Sequence, residues 1–166
     1  VDFALIPDVI DGSDEDNDGL LTRWHQWFGS KSRVFGVPVW HMNESAERLI
    51  RFCNEFPRVA IGASGEFSKV GSKEWHDRME WVMSKICDDR GHPITKIHML
   101  RGLDPKVFSR YPFHSADSTN AGRNCNIESA WKGTYAPPSN SWRARVIMAR
   151  TEAHNSAVEY LPSWLR

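Results

Sequence analysis

Short apolar runs alternate with amphipathic stretches along the chain. Residues 2–6 (DFALI) read as a buried strand that Pro7 stops, and residues 37–40 (VPVW), 58–61 (RVAI) and 96–100 (KIHML) read as three more. A weaker fifth strand is expected over residues 112–116 (PFHSA). Runs of this kind, bounded by turn residues and lacking clean alternation, suit a parallel sheet covered on both faces. Helical patterns lie between them. Asn43 is placed to cap a helix that runs through Glu55, with Ala46, Leu49, Ile50 and Cys53 on one face. Ser72 is placed to cap the next, in which Trp75, Met79, Val82, Met83 and Ile86 recur at helical spacing. Asp104-Pro105 opens a short helix, and residues 139–154 form a last one rich in Arg143, Arg145 and Arg150.

Strand and helix in alternation predict right-handed βαβ units and an α/β fold. Two architectures compete, an open doubly wound sheet and a section of a (β/α)8 TIM barrel. A complete barrel takes at least about 200 residues, so a 166-residue chain with about five βα units is expected to form only a partial one. Residues 1–135 read as one domain. Residues 136–166, after the Ala136-Pro137-Pro138-Ser139 linker, read as a C-terminal helix and tail packing on it.

Composition narrows the class of protein. Hydrophobic residues make up 40% and charged residues 25%, which excludes a disordered or fibrous chain. Lys plus Arg equals Asp plus Glu, 21 against 21, so no global field draws the chain to nucleic acid, and any such contact needs a local patch. No apolar run approaches the roughly 20 residues that cross a bilayer, so no membrane partner is expected. Three isolated cysteines, Cys53, Cys87 and Cys125, argue against a disulfide framework and for a reducing, cytoplasmic compartment. Eight Trp are expected in the core or along a concave site. The chain starts at Val1, which suggests trimming or a missing N-terminal segment, with homo-oligomerisation as another way to complete the fold.

In both architectures ligands bind beyond the carboxyl ends of the parallel strands. Every expected strand end carries polar residues: Asp8, then His41 and Asn43, then Gly62-Ala63-Ser64-Gly65-Glu66, then Arg101-Gly102, then a stretch from His114 through Asp117 and Asn120 to Arg123. Each has a plainer explanation as a turn, a cap or a satisfied histidine. Asp117, flanked by His114 and Arg123, is placed for nucleophilic or electrostatic work at a sugar carbon. The acidic run at residues 14–19 partly fits a calcium loop, but His25 stands at the last ligand position, and a solvated helix start fits better. Neither CxxC nor HExxH occurs, and no metal or other cofactor is expected. Two alternatives stay open: a metal-dependent hydrolase using His41, His98, His114 and Asp117, and a non-catalytic nucleoside- or nucleic-acid-binding remnant.

The segments DFALIPDVIDGS, GVPVWHMNES, PRVAIGASGEF, KIHMLRGLDP and FHSADSTNAGRN, in this order, resemble the tRNA-guanine transglycosylase superfamily. The likeness is greatest to its phage-associated queuine tRNA-ribosyltransferase-like members and their DNA-modifying relatives. It implies a pentosyltransferase that replaces guanine by a 7-deazaguanine-type base in tRNA or DNA. Asp117 then matches the nucleophile that attacks C1′, and Asp8 matches the aspartate that binds the Watson–Crick edge of the base. His41 falls where the family has a polar residue on the base, Gly62 to Gly65 with Glu66 resemble its glycine segment, and Asn120 and Arg123 resemble residues holding ribose and phosphate. Trp40 and Phe67 are candidate stacking surfaces. The chain departs from the pattern in three places. The early Asp-Ser-Gly-Gly loop and the zinc-binding Cys/His cluster have no counterpart, and Ser118-Thr119-Asn120-Ala121-Gly122-Arg123 replaces Thr-Arg-x-Ala-Arg.

Overall fold

The computed structural model describes residues 3–10, 12–102, 105–108 and 110–117. The expectations for Asp104, Asn120, Arg123, Cys125, the 136–139 linker and the 139–154 helix fall outside these residues. The chain folds as α/β. In order come β1 (Ala4–Leu5), α1 (Asp14–Phe28), α2 (Ser32–Phe35), β2 (Gly36–Val37), β3 (Val39–His41), α3 (Ala46–Glu55), β4 (Arg58–Gly62), α4 (Lys73–Ile86), β5 (Lys96–Met99), α5 (Pro105–Phe108) and β6 (Ser115–Ala116). Short 3₁₀ turns lie at Gly29–Lys31 and Gly65–Phe67.

All strand pairs are parallel, in a two-stranded sheet β1-β2 and a four-stranded sheet β3-β4-β5-β6. Pro38 separates β2 from β3 because it has no N–H to donate. Its carbonyl still accepts from Ala60 N at 2.9 Å, so the pairing runs on past the break. The strands therefore stand in sequence order, as expected where each crossover places the next strand beside the last.

Strand parity sorts the side chains. Val59 and Ile61 of β4, with Ile97 and Met99 of β5, pack in one large core with Leu49 and Phe52 of α3 and with Trp75, Met79, Val82, Met83 and Ile86 of α4. The opposite face holds a small cluster of Val37, Val39 and Ala60 with Phe3 and Leu100 beside it, and no helix residue belongs to that cluster. The expectation of a sheet covered by helices on both faces thus does not hold among the described residues. The second face is apolar because the sheet curls onto itself there. Three inter-strand steps of about 4.8 Å would hold β1 and β5 some 14 Å apart in a flat sheet, yet the rings of Phe3 and His98 lie 5.3 Å apart.

The helix starts follow their capping chemistry. Ser13 caps α1 in a reciprocal box with Asp16, and Asp14, Glu15 and Asp16 sit in its first turn, so the acidic run begins a helix. Ser72 caps α4 as expected. The cap of α3 is Ser45, not Asn43, because the Asn43 carboxamide is engaged by Ser64 instead. Of the described tryptophans, Trp24, Trp40 and Trp75 are buried, whereas Trp27 and Trp81 are exposed.

Gly36 and Gly19 respond oppositely to the same change. A Cβ at Gly36 would stand 2.3 Å from Ser32 O and 2.5 Å from Trp24 Nε1, the two atoms joined by the hydrogen bond that ties α1 to α2. A Cβ at Gly19, inside α1, would meet nothing within 4 Å. Gly36→Ala is expected to destabilise by about 1–3 kcal/mol, and Gly19→Ala to stabilise by roughly 0.5–1 kcal/mol. Urea unfolding of the two variants checks both signs.

Candidate functional site

Two polar clusters occupy the carboxyl ends of the strands. The first forms around His41, the last residue of β3. Its imidazole is buried on the helix-free face, where a Cβ on Gly62 would lie 3.0 Å from His41 Cδ2. Glycine in the neighbouring strand gives the ring its room, since a Cβ there would press against it. Nε2 of His41 is 3.0 Å from Asp8 Oδ2, and Nδ1 is 3.6 Å from Glu44 Oε1, an electrostatic contact too long for a hydrogen bond. Glu44 is anchored because its Oε2 accepts from the His41 backbone N–H at 3.0 Å. Behind it, Arg48 places Nε 3.4 Å from Glu44 and donates from Nη1 to Asp18 at 2.7 Å.

The loop that carries Asp8 is held by Asn17 of α1. Its Oδ1 accepts from Val9 N at 2.8 Å and its Nδ2 donates to Val9 O at 3.1 Å. A residue of the acidic run thereby fixes the position of Asp8. Burial by itself would lower the basicity of His41, but the hydrogen bond to Asp8 and the charge of Glu44 outweigh it and raise the pKa to about 9. At neutral pH the imidazole is therefore a cation clamped between two carboxylates.

The second cluster forms where β5 and β6 pair. His98, buried in β5, has Nδ1 2.8 Å from Ser115 Oγ and Nε2 3.9 Å from Asp117 Oδ2. The other oxygen of Asp117 accepts from the Arg101 backbone N–H at 2.7 Å. Arg101 adopts a left-handed conformation with φ of 61°, unusual for a residue with a side chain, and this turn directs its N–H at the carboxylate. Gly102 follows because a Cβ there would stand 2.3 Å from Met99 Cγ. His98 first, and then the Arg101 amide, hold the Asp117 carboxyl below its ordinary range although its partial burial opposes them. The side chain is half exposed, so an ionised oxygen faces outward.

The two clusters share a rim and a face. His41 pairs in register with Gly62, and continuing the β4-β5 and β5-β6 registers by one residue sets Leu100 and then Asp117 in the same row. Asp8 joins this row through His41, so both aspartates stand at the carboxyl-terminal edge on the helix-free side. The glycine segment lies beside His41. Ser64 is buried, donating its hydroxyl to Asn43 Oδ1, and Gly65, at φ of 52°, starts the exposed turn that carries Glu66.

Other expected participants lie elsewhere. Trp40 is fully buried on the helix side with its N–H donated to Ser45 O, because parity along β3 turns it away from His41; it offers no stacking surface. Phe67 packs against the core with the Arg78 guanidinium 5.4 Å from its ring. His114 precedes β6 and borders a cleft with Pro57 and Lys96, at the amino-terminal end of the strands, so it does not flank Asp117. The four proposed ligands His41, His98, His114 and Asp117 consequently do not form one metal set. Among the described residues no group of three or more His, Cys, Asp or Glu is arranged to hold a metal ion. Sequence reasoning missed Glu44, Ser115 and Arg48. Glu44 and Ser115 lie within three residues of named positions and show no motif, whereas Arg48 is identifiable only as an arginine on the apolar side of a helix.

No family model, curated protein or solved structure matches the chain. No helix among the described residues is long and apolar enough to cross a membrane.

The ion pair makes stability depend on pH. A histidine whose pKa is raised in the folded state, here from 6.5 to about 9, adds stability that is complete below 6.5 and disappears as pH climbs to about 9. Unfolding free energy measured by urea at a series of pH values is expected to fall across this window. In Asp8→Asn the fall is expected to be much shallower.

Proposed function

We propose that the chain is a base-exchange transglycosylase module on a partial (β/α)8 barrel, replacing guanine by a deazaguanine-type base in tRNA or DNA. The observation that carries this reading is the shared row: an ionised, half-exposed Asp117 and, paired with His41, a partly exposed Asp8 on one rim of a curled parallel sheet. Strands in sequence order, with the helices among the described residues on one side, support the barrel, since a doubly wound sheet carries helices on both.

In the proposed reaction Asp117 attacks C1′ of the nucleoside, the glycosidic bond breaks, and the departing base takes the electron pair. Retention of configuration needs such a covalent carboxylate ester, which the incoming base then displaces. The Arg101 amide and His98 keep Asp117 ionised and oriented for the attack. Asp8, held by protonated His41, offers its remaining lone pairs to the N–H groups of a guanine-type edge. That contact selects the base and orients it for the attack. The backbone of the segment from Gly62 to Gly65 stays a proposed contact to the base. Asn120 and Arg123 stay proposed contacts to ribose and phosphate.

A second reading has one observation in its favour, the Ser115–His98–Asp117 series, which has the residue types of an acyl-transfer triad. The distances weigh against it. Asp117 is bound tightly to the Arg101 amide and only loosely to His98, so the carboxylate is the group presented to solvent.

Incorporation of radiolabelled guanine or 7-deazaguanine into tRNA and DNA tests the proposal. The native chain is expected to exchange label into one polymer, and Asp117→Asn to lose roughly a thousandfold or more. Exchange that survives this substitution would remove Asp117 as nucleophile, and a covalent acyl adduct on Ser115 would favour the triad.

A further inference from the structure

The opposite end of the sheet carries a second concentration of charge. Arg58 opens β4 and pairs in register with Lys96, which opens β5, while His114 stands before β6 with its N–H donated to Ile97 O. Three basic side chains thus follow one another on three adjacent strands. Like charges on neighbouring strands repel, and a fold normally offsets them with a carboxylate. Among the described residues no carboxylate pairs with Arg58 or Lys96. Arg58 Nε is buried without a hydrogen-bond partner among the described residues, and the guanidinium lies over the face of Phe3, 4.3 Å away. After burial, the charges of Lys96 and Arg58 are what lower the basicity of His114, which is the mark of cations lying close together.

These residues border two clefts that meet at Pro57 and Lys96. One, of about 190 Å³, is lined by Phe3 and Arg58, and the other, of about 520 Å³, by His114. The larger cleft has the volume of small-molecule sites. Apart from Thr95 its remaining wall is apolar, formed by Pro57, Pro93, Ile94, Pro112 and Phe113, and Ile94 is left half exposed. A cationic rim beside an apolar wall fits a compound with an oxyanion at one end and a less polar body at the other.

We propose that this amino-terminal end of the sheet binds a small phosphate monoester, its oxyanion among Arg58, Lys96 and His114 and its body in the cleft against Pro112 and Phe113. A phosphate suits the position because it offers a separate oxygen to each of three donors on successive strands and carries the charge to offset them. The site lies at the far end of the strands from Asp117, so it is separate from the exchange chemistry proposed above and does not depend on it.

Isothermal titration of the full chain with inorganic phosphate, a nucleoside 5′-monophosphate and a sugar phosphate, at matched ionic strength, tests the proposal. Saturable binding is expected for the monoesters, at least about tenfold tighter than for inorganic phosphate because only they fill the apolar cleft. The double variant Lys96→Gln, His114→Gln is expected to lose at least about tenfold in affinity. In chloride buffer, where no phosphate offsets the repulsion, its thermal midpoint is expected to be equal to or above that of the native chain. Asp117→Asn is expected to bind as the native chain does. Absence of saturation up to about 10 mM, unchanged affinity in the folded double variant, or binding of a polynucleotide but of no monoester would each overturn the proposal.

Discussion

The two-residue period of a parallel strand is the constraint on which the rest of this protein depends. Once Val59, Ile61, Ile97 and Met99 are committed to the large core beneath α3 and α4, the alternate positions Arg58, Ala60, Gly62, Lys96, His98 and Leu100 must face the other way. That second face has no helix among the described residues to cover it, and it closes instead by curling until Phe3 of the first strand segment meets His98 of β5. Charged groups forced to this side sit at its two ends, because its middle is filled by Val37, Val39 and Ala60, with His98 and Ser115 bonded to each other beside them. The carboxyl end gathers Asp8, His41 and Asp117, and the amino end carries Arg58 and Lys96, with His114 across the cleft from Lys96.

The two ends are electrostatically unlike. At the carboxyl end the buried charges are paired: His41 lies between Asp8 and Glu44, Arg48 bridges Glu44 and Asp18, and Asp117 takes a backbone N–H and faces His98. Burying such charges is costly, and the cost is contained only because they form a connected series. It leaves one ionised oxygen of Asp117 and part of Asp8 facing solvent, the two groups the proposed exchange reaction uses. At the amino end the charges share one sign. A paired network keeps its geometry without a ligand, whereas like-charged neighbours are relieved by an anion that is not part of the chain. The positive φ of Arg101 belongs with the first kind, since the strained turn is sustained by the contact it makes with Asp117.

The cysteines stand apart from this chemistry. Cys53 and Cys87 are free, and burial pushes both thiols up to about 12, so neither is poised as a nucleophile. The concentration of ionisable groups at the strand ends is therefore the chemical centre of the described chain.

Much of this architecture was legible in the amino-acid order. The four stronger strands, the helix start in the acidic run, the helix capped at Ser72, and the placing of Asp8, His41 and Asp117 at strand ends follow from local rules of apolar runs, caps and turn residues. Those rules act over a few residues, so one sequence displays them. What local rules leave open is which face of a strand looks at a helix and which residues from distant segments meet there. Trp40 reads as a stacking surface and His114 as a neighbour of Asp117 until parity buries the one in the core and the register carries the other to the far end of the sheet. Asn43 reads as a helix cap until Ser64, 21 positions away, takes its side chain. The clamp of Glu44 on His41, the Arg101 amide on Asp117, and the approach of Arg58, Lys96 and His114 from three strands are likewise products of tertiary structure. The sequence determined the elements and their order, because these depend on near neighbours; tertiary structure alone decided the company each side chain keeps, because that depends on how separate strands align.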